Sequence, residues 1–600
     1  MIAFRALALA AGLALVMPAA AQDLRQRPPE DEVIYFVLPD RFANADPAND
    51  TGGIRGDRLR HGFDPTHKGF YHGGDLKGLI ARLDYIQSLG ATAIWLTPVF
   101  KNKAVQGAPG EETSGYHGYW ITDFTTVDPH LGSEADFKAL VDAAHERGMK
   151  VYMDIIANHT ADVIHNVECG DRACDYRGRA DYPYSTVGGV DGAPINPGFA
   201  GDRVMTADNF ARLTNPNFAY TPRVAPGERQ VKVPAWLNDP IYYHNRGNST
   251  FEGESSTMGD FSGLDDLMTE HPRVVQGMID VYASWIDRFG VDGFRIDTAR
   301  HVNPEFWAAF APAMLERAKA RGISNFHIFG EAAYNDLEPG LLARHTIVDK
   351  LPSVLDFAFS TAVRETVAGD RGTERLARLF EGDALYAGGE PAALRLPTFI
   401  GNHDQGRFST AVRQGHPRAS EAEIAARVRL GHAMLLLLRG VPTIYYGDEQ
   451  GFSSDGRDQD AREDMFPTRV ASYLDNRLVG TDRSPGADHF ADHPLRAAIA
   501  ELARLRTGHA ALRRGLQLTR AAGKTPGLFA VSRFDPDDGR EYLIAFNTAA
   551  TPWSGQVEVD PRRSGFAPLG GTCTGATLSA PGSVALALAP FAYCILASGK

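Results

Sequence analysis

The sequence predicts a (β/α)₈ TIM barrel with a loop domain inserted after its third strand and an antiparallel β-sandwich at its C-terminal end. Three observations lead there. Short apolar runs alternate with amphipathic helical runs from about residue 33 to about 450. Parallel strands joined by crossover helices require that alternation. The interval 161–260 loses the rhythm and is rich in Gly, Asn, Pro and Tyr. After about 515 the pattern turns to short alternating runs, as half-buried antiparallel strands show.

The first strand is "VIYFVL" at 33–38, and the helical run "LKGLIARLDYIQSLG" leads to the second, "TAIWLTPV" at 92–99. In "EADFKALVDAAHERG" the residues Phe137, Leu140, Val141 and Ala144 share one helical face, and Gly148 suits its C-terminal cap. "KVYMDII" at 150–156 is the third strand. The helix "VVQGMIDVYASWIDRFG" precedes the fourth, "VDGFRID". "FHIFGEA", "SVLDFAF", "LRLPTFIGNHD" and "GVPTIYYGDEQ" bring the count to eight, which closes a barrel. "LFAVSRF", "YLIAFNT" and "SVALALAP" supply the sandwich. The barrel therefore occupies 22–160 and 261–514, the insertion 161–260 and the sandwich 515–600.

Six hundred residues exceed one ordinary core, and 44% hydrophobic with 22% charged residues is a globular composition. A formal net charge of −13 excludes the basic footprint that nucleic acid needs and disfavours anionic membranes. The start, "MIAFRALALAAGLALVMPAAAQ", has Arg5, an apolar stretch at 6–16 and a small-residue A-x-A site at 19–21. That predicts a signal peptide over 1–21 and a soluble, secreted or periplasmic protein, as in bacteria. The four cysteines form two local groups. Cys169–Cys174 and Cys573–Cys594 is the simplest of three possible pairings, and neither pair has zinc spacing.

Barrel chemistry sits at the C-terminal ends of the strands. The third strand ends with Asp154, Asn158 and His159, and the fourth with Arg295, Asp297, Arg300 and His301. The fifth ends with Glu331, and the seventh with Asn402, His403 and Asp404. Arg295 and Asp297 lie two residues apart on a strand, so they share a face and their burial requires pairing. A mouth this rich in carboxylates suits glycosidic bond cleavage, which uses two carboxyl groups in different protonation states.

These four strand ends, with "GATAIWLTP", "SGYHGYW" and "GVPTIYYGDEQG", resemble the α-amylase family, glycoside hydrolase family 13, over roughly 32–600. The resemblance implies a retaining α-glucan hydrolase acting on starch, glycogen or maltodextrins. Asp297 matches the nucleophile, Glu331 the general acid/base and Asp404 the third carboxylate. The nucleophile and acid/base carboxyls should then lie about 5–5.5 Å apart. Arg295 favours ionised Asp297, and Phe329 with Ala332 and Ala333 gives Glu331 a less polar neighbourhood. Tyr119 matches the aromatic under the sugar. His117, His159 and His403 match histidines on its hydroxyls. Asp458 and Arg462, in "DGRDQDAR", match a pair towards the non-reducing end.

The resemblance extends to Ca²⁺. "DRFANADPAND" followed by "HGGD" is similar to a calcium loop of cyclodextrin glucanotransferases. Its ligands would be Asn44, Asp46, Asn49, Asp50, the Gly73 carbonyl and Asp75, although such a run is also ordinary turn chemistry. A second site would use Asn158, Asp266 and the His301 carbonyl. Two departures stand out: Arg300 replaces the family's usual lysine, and "AAYND" follows Glu331 where many relatives carry aromatics. The stretch 466–490 matches nothing assignable. The same machinery serves a cyclomaltodextrinase, neopullulanase or 4-α-glucanotransferase. A non-catalytic glucan-binding barrel would lose carboxylates that are all present here. The protein is expected to work as a monomer.

Overall fold

One parallel sheet contains Ile34–Val37, Ala93–Leu96, Lys150–Ile155, Gly293–Ile296, His327–Gly330, Pro397–Thr398 and Val441–Tyr445. In this computed structural model residues 24–170 and 172–599 are described, so the expected signal peptide at 1–21 lies outside the described residues. The first strand pairs with both Ala93–Leu96 and Val441–Tyr445, which bends the sheet round on itself. The sixth stave is shorter than "SVLDFAF" suggests. Only two bridges remain, Gly330 to Val354 and Asp356 to Thr398, and they close the ring. The strand stops because the Asp356 side chain accepts the Phe359 N–H at 2.9 Å and caps the helix Phe357–Val363.

Both faces of each stave are covered, so the strands are buried throughout. Phe294 points outward, its ring 5.8 Å from Tyr282 on the helix Pro272–Phe289. Arg295 therefore points into the barrel, as strand alternation demands. The helix expected between the first two strands divides into Leu76–Ala81 and Leu83–Ser88. The break falls at Arg82, whose guanidinium lies 4.0 Å over the Phe490 ring. Among the described residues no helix is long and apolar enough to cross a membrane.

Within 161–260 the core is small and aromatic, built on Tyr184, Phe210, Phe218 and Tyr220. Cys169 and Cys174 are bonded there. A short pairing of Asp265–Asp266 with His159–Thr160 ties the following segment to the end of the third stave. The stretch 466–490 packs Phe490 against Phe42 and Tyr85. It also brings the Tyr473 hydroxyl onto the Gln459 carbonyl at 2.5 Å, bracing the loop that carries Asp458 and Arg462.

The C-terminal strands form a five-stranded and a three-stranded antiparallel sheet. Leu528–Phe534, Glu541–Asn547 and Tyr593–Ser598 pair in succession in the first. Trp553–Glu558, Ser583–Leu588 and Thr574–Ala580 form the second. The disulfide Cys573–Cys594 links the last strand of the larger sheet to the start of Thr574–Ala580 in the smaller.

Candidate active site

At the centre of the mouth one guanidinium holds three carboxylates. Arg295 Nη1 reaches Asp154 at 2.7 Å and Asp297 at 2.8 Å, and Nη2 reaches Glu331 at 2.9 Å. Its side chain is 1% exposed. Three neighbouring strands supply the group, because Arg295 pairs in register with Asp154 on one side and Phe329 on the other. Asp297 and Glu331 sit on adjacent nitrogens of one planar fork, so they are neighbours. The expected apolar setting of Glu331 is only half present: Phe329 and Ala332 are buried beside it, but Glu331 also accepts from Arg295 and from the Thr298 N–H at 3.0 Å. To present that N–H, Thr298 adopts φ 46° and ψ 34°. Such a left-handed conformation is costly for a β-branched residue and is held by its surroundings.

A cleft of about 530 Å³ opens above this cluster. His117, Tyr119, His159, Asp297, Arg300, His301, Glu331, Asp404, Asp458 and Arg462 line it together. Arg295 and His403 stand behind its wall. His403 Nε2 lies 2.8 Å from the Tyr119 hydroxyl, which also meets Asp154 at 3.1 Å. Tyr119 is thus fixed from behind with its ring towards the cleft. Asp404 is the exposed carboxylate, 48% accessible, and Arg462 holds it at 3.0 Å. The same guanidinium meets Asp458 at 2.5 Å, so the pair expected from the sequence is formed and joined to Asp404.

Burial dominates the electrostatics. It raises Asp297 and Glu331, with Arg295 opposing in both, while Glu331 and Asp154 add to the rise of Asp297 and Asp404 adds to that of Glu331. Asp154 is pushed up to about 7 by burial against the pull of Arg295. Three carboxylates around one cation therefore keep a proton among them near neutral pH. Burial lowers His117 and His403 well below the ordinary imidazole value, takes His159 down to about 3 and His301 to about 4. Neutral imidazoles can both donate to and accept from hydroxyl groups.

Two loops bear on calcium. In the first, Asn49 Oδ1 is buried without a hydrogen-bond partner. Burial and the nearby Asp40, Asp75 and Asp46 push Asp50 up to about 6, although Asn44 donates to it at 2.8 Å. Gly73 passes so close that a Cβ would lie 2.6 Å from Asp50 Oδ1. An orphaned amide oxygen among crowded carboxylates fits a hard cation. Two members are otherwise engaged: Asp46 carries Lys77 at 2.5 Å, and Asp75 accepts the N–H groups of Ala45, Asp46 and Gly78. In the second loop Asp266 meets His244 at 2.6 Å, and His244 meets Glu270 at 2.9 Å. Those two carboxylates outweigh burial and raise His244 to about 10, so an imidazolium already answers the Asp266 charge. Asn158 contacts His159 at 3.3 Å, and the His301 ring is held by the Ser256 carbonyl at 2.8 Å. The first loop fits a divalent ion better. Among the described residues no three His, Cys, Asp or Glu side chains converge as a metal cluster, so a cation would also rest on amide and carbonyl oxygens.

Sequence reasoning left out several residues of the wall. Trp120, Phe261, Asn335, Gln405, Arg457 and Gln459 also line the cleft. Trp120 closes the motif "SGYHGYW", so its position beside His117 and Tyr119 is legible in the sequence. Phe261 lies just past the aperiodic interval 161–260, where no pattern marks which aromatic faces inward. It stacks on His159 with centroids 5.5 Å apart.

A closed parallel barrel whose C-terminal mouth gathers buried carboxylates on one arginine, beneath an aromatic and neutral histidines, defines a parallel-barrel protein with a carboxylate-rich site at its strand ends. Its relatives place it further. Residues 36–485 match the α-amylase catalytic domain, and the chain belongs to the α-amylase family. It is 46% identical over 499 residues to an α-amylase of Streptomyces lividans, covering 83% of this chain and 53% of that protein. The chain thus spans about half the length of that relative. An Anoxybacillus α-amylase structure matches with a TM-score of 0.67 at 26% identity, covering 96% of this chain and 99% of the other. The cyclomaltodextrin glucanotransferase CldA, described as having a three-domain ABC distribution, matches at 0.68 and 25% identity, covering 95% and 99%.

Proposed function

We propose that this protein hydrolyses α-1,4-glucosidic bonds in starch, glycogen or maltodextrins with retention of configuration. The observation that carries the reading is the Arg295 fork, which sets Asp297 and Glu331 side by side beneath an open cleft. In the first step Asp297 attacks the anomeric carbon while Glu331 gives its proton to the departing glycosidic oxygen. A covalent glycosyl–Asp297 ester results. In the second step Glu331 takes a proton from water, water attacks the same carbon and the ester bond breaks, which regenerates both carboxyl groups. Asp404, held by Arg462, binds sugar hydroxyls. The Tyr119 ring supports the apolar face of the sugar, and His117 and His159 bond its hydroxyls, with His403 orienting Tyr119.

Calcium, when bound in the 44–50 loop through Asn49, Asp50 and neighbouring oxygens, supplies rigidity near the barrel mouth. The interval 161–260 serves as the cleft's side domain and 515–600 as a sandwich domain beside the barrel. The two disulfides support export to the periplasm or medium. The working form is a monomer. The test is Glu331→Gln: hydrolysis of amylose should fall by roughly 10²–10⁴-fold with the fold intact, and near-normal activity would end the assignment.

The likeness to CldA favours one second reading, a glucanotransferase using the same residues. Products on amylose, pullulan and β-cyclodextrin separate the two. Short linear oligosaccharides from amylose support hydrolysis, and cyclic products support transfer.

A further inference from the structure

Arg300 stands where a flexible lysine would supply a single point charge, yet its guanidinium is not free. Nη1 donates to the Ala333 carbonyl, and the planar group lies 4.6 Å from the centre of the Tyr334 ring. The Tyr334 hydroxyl meets His345 Nε2 at 2.9 Å, and His345 Nδ1 meets the Asp349 carboxylate, which is 3% exposed. A carboxylate on Nδ1 keeps the proton there. Nε2 is then the acceptor, and Tyr334 donates. The chain of contacts therefore has one direction, from the cleft wall down to a buried anion on the helix Pro339–Ile347 and the turn after it.

The first members of this chain belong to the cleft. Arg300, Ala333 and Asn335 line it, while Tyr334 is half-buried behind them. Residues 332–335 directly follow Glu331, so whatever fixes them fixes the wall beyond the bond to be cleaved. A lysine could bond the Ala333 carbonyl but has no planar face to lay on Tyr334. The small side chains of Ala332 and Ala333 leave this segment little packing of its own.

We propose that Arg300, Tyr334, His345 and Asp349 form a brace that sets the acceptor wall of the cleft, with Arg300 and Tyr334 as positioning residues for the segment after Glu331. The inference rests on the hydrolase reading above. The brace governs how the part of a glucan beyond the cleaved bond is held. A long chain feels it, and a substrate whose leaving group is one small aryl ring does not.

The experiment compares the whole protein with Tyr334→Leu, Tyr334→Phe, Arg300→Lys and the Arg300→Lys/Tyr334→Leu double variant. Substrates are long linear amylose and a nitrophenyl maltotrioside. Tyr334→Leu should raise KM for amylose by about tenfold, the scale of one lost hydrogen bond with its packing, and leave the aryl glycoside within about twofold. Tyr334→Phe keeps the ring under Arg300 but cuts the link to His345, so its effect should fall between wild type and Tyr334→Leu. Arg300→Lys should raise KM for amylose, and the double variant should be no worse than the worse single one, because both changes break one element. Equal losses on both substrates, unchanged amylose kinetics in every variant, or strictly additive effects would overturn the brace. An inactive wild type on both substrates would instead overturn the hydrolase reading.

Discussion

Removing the Arg295 guanidinium is the severest single test of the site. In Arg295→Met the side chain keeps its bulk, but Asp154, Asp297 and Glu331 lose the one cation they share. Breaking a buried pair from one side costs about 3–5 kcal/mol. At about 1 °C per kcal/mol for a barrel of this size, that is a fall in Tm of roughly 3–5 °C near neutral pH. The cost depends on pH, and its sign follows from burial. All three carboxylates already sit above their ordinary values, Asp154 at about 7. A carboxyl raised in the folded state stabilises fully below its unfolded pKa of about 4 and loses that contribution as pH rises through the folded value. Without Arg295 the folded values rise further, so the loss extends to higher pH. The stability gap between wild type and variant should open as pH rises through about 7, the raised value of Asp154, and widen above it. Thermal melts at several pH values measure it. A gap of constant size across that rise would show that the guanidinium is not what balances these carboxylates. Activity should fall by at least about 10²-fold, because Asp297 loses its orienting partner.

In the proposed mechanism Glu331 carries a proton when the leaving oxygen departs, and burial raises its pKa. Activity should therefore persist above the ordinary glutamate value of about 4.3 and fail on the basic side as pH passes the raised value, a limb absent from the residual rate of Glu331→Gln. Chelation by EDTA should lower Tm by about 3 °C if calcium is present at roughly 100 times its dissociation constant, and Asp50→Ala should abolish that response. The Cys573→Ser/Cys594→Ser double variant should lose about 3 kcal/mol of stability in the C-terminal sheets, read by hydrogen exchange there, while amylose hydrolysis at 25 °C stays within about twofold.

Local pattern made most of the architecture legible. Parallel strands buried on both faces read as apolar runs, and the amphipathic helices between them have a 3.6-residue period. Such signals need no knowledge of distant residues. The ends of those strands also named Asp297, Glu331 and Asp404, because the barrel rule converts a position in sequence into a position at the mouth. The sixth stave escaped this logic. "SVLDFAF" has strand composition, yet the Asp356 side chain caps a helix and Arg439 holds it, a contact 83 residues away in sequence. Phe261, just past the aperiodic 161–260 interval, stayed hidden, since only its packing on His159 turns it towards the cleft.

By itself the sequence determined the barrel and the disulfide candidates and put the proposed catalytic carboxylates at strand ends, because each depends on residue type at a local spacing. Only the tertiary structure decided how charge is shared. It showed that Arg295 serves Asp154 and Glu331 as well as Asp297, that Thr298 bends to donate to Glu331, and that Arg300 is tied to Ala333 and Tyr334. Those facts join residues 33 to 141 positions apart, and Coulomb and hydrogen-bond energies depend on distance in space alone.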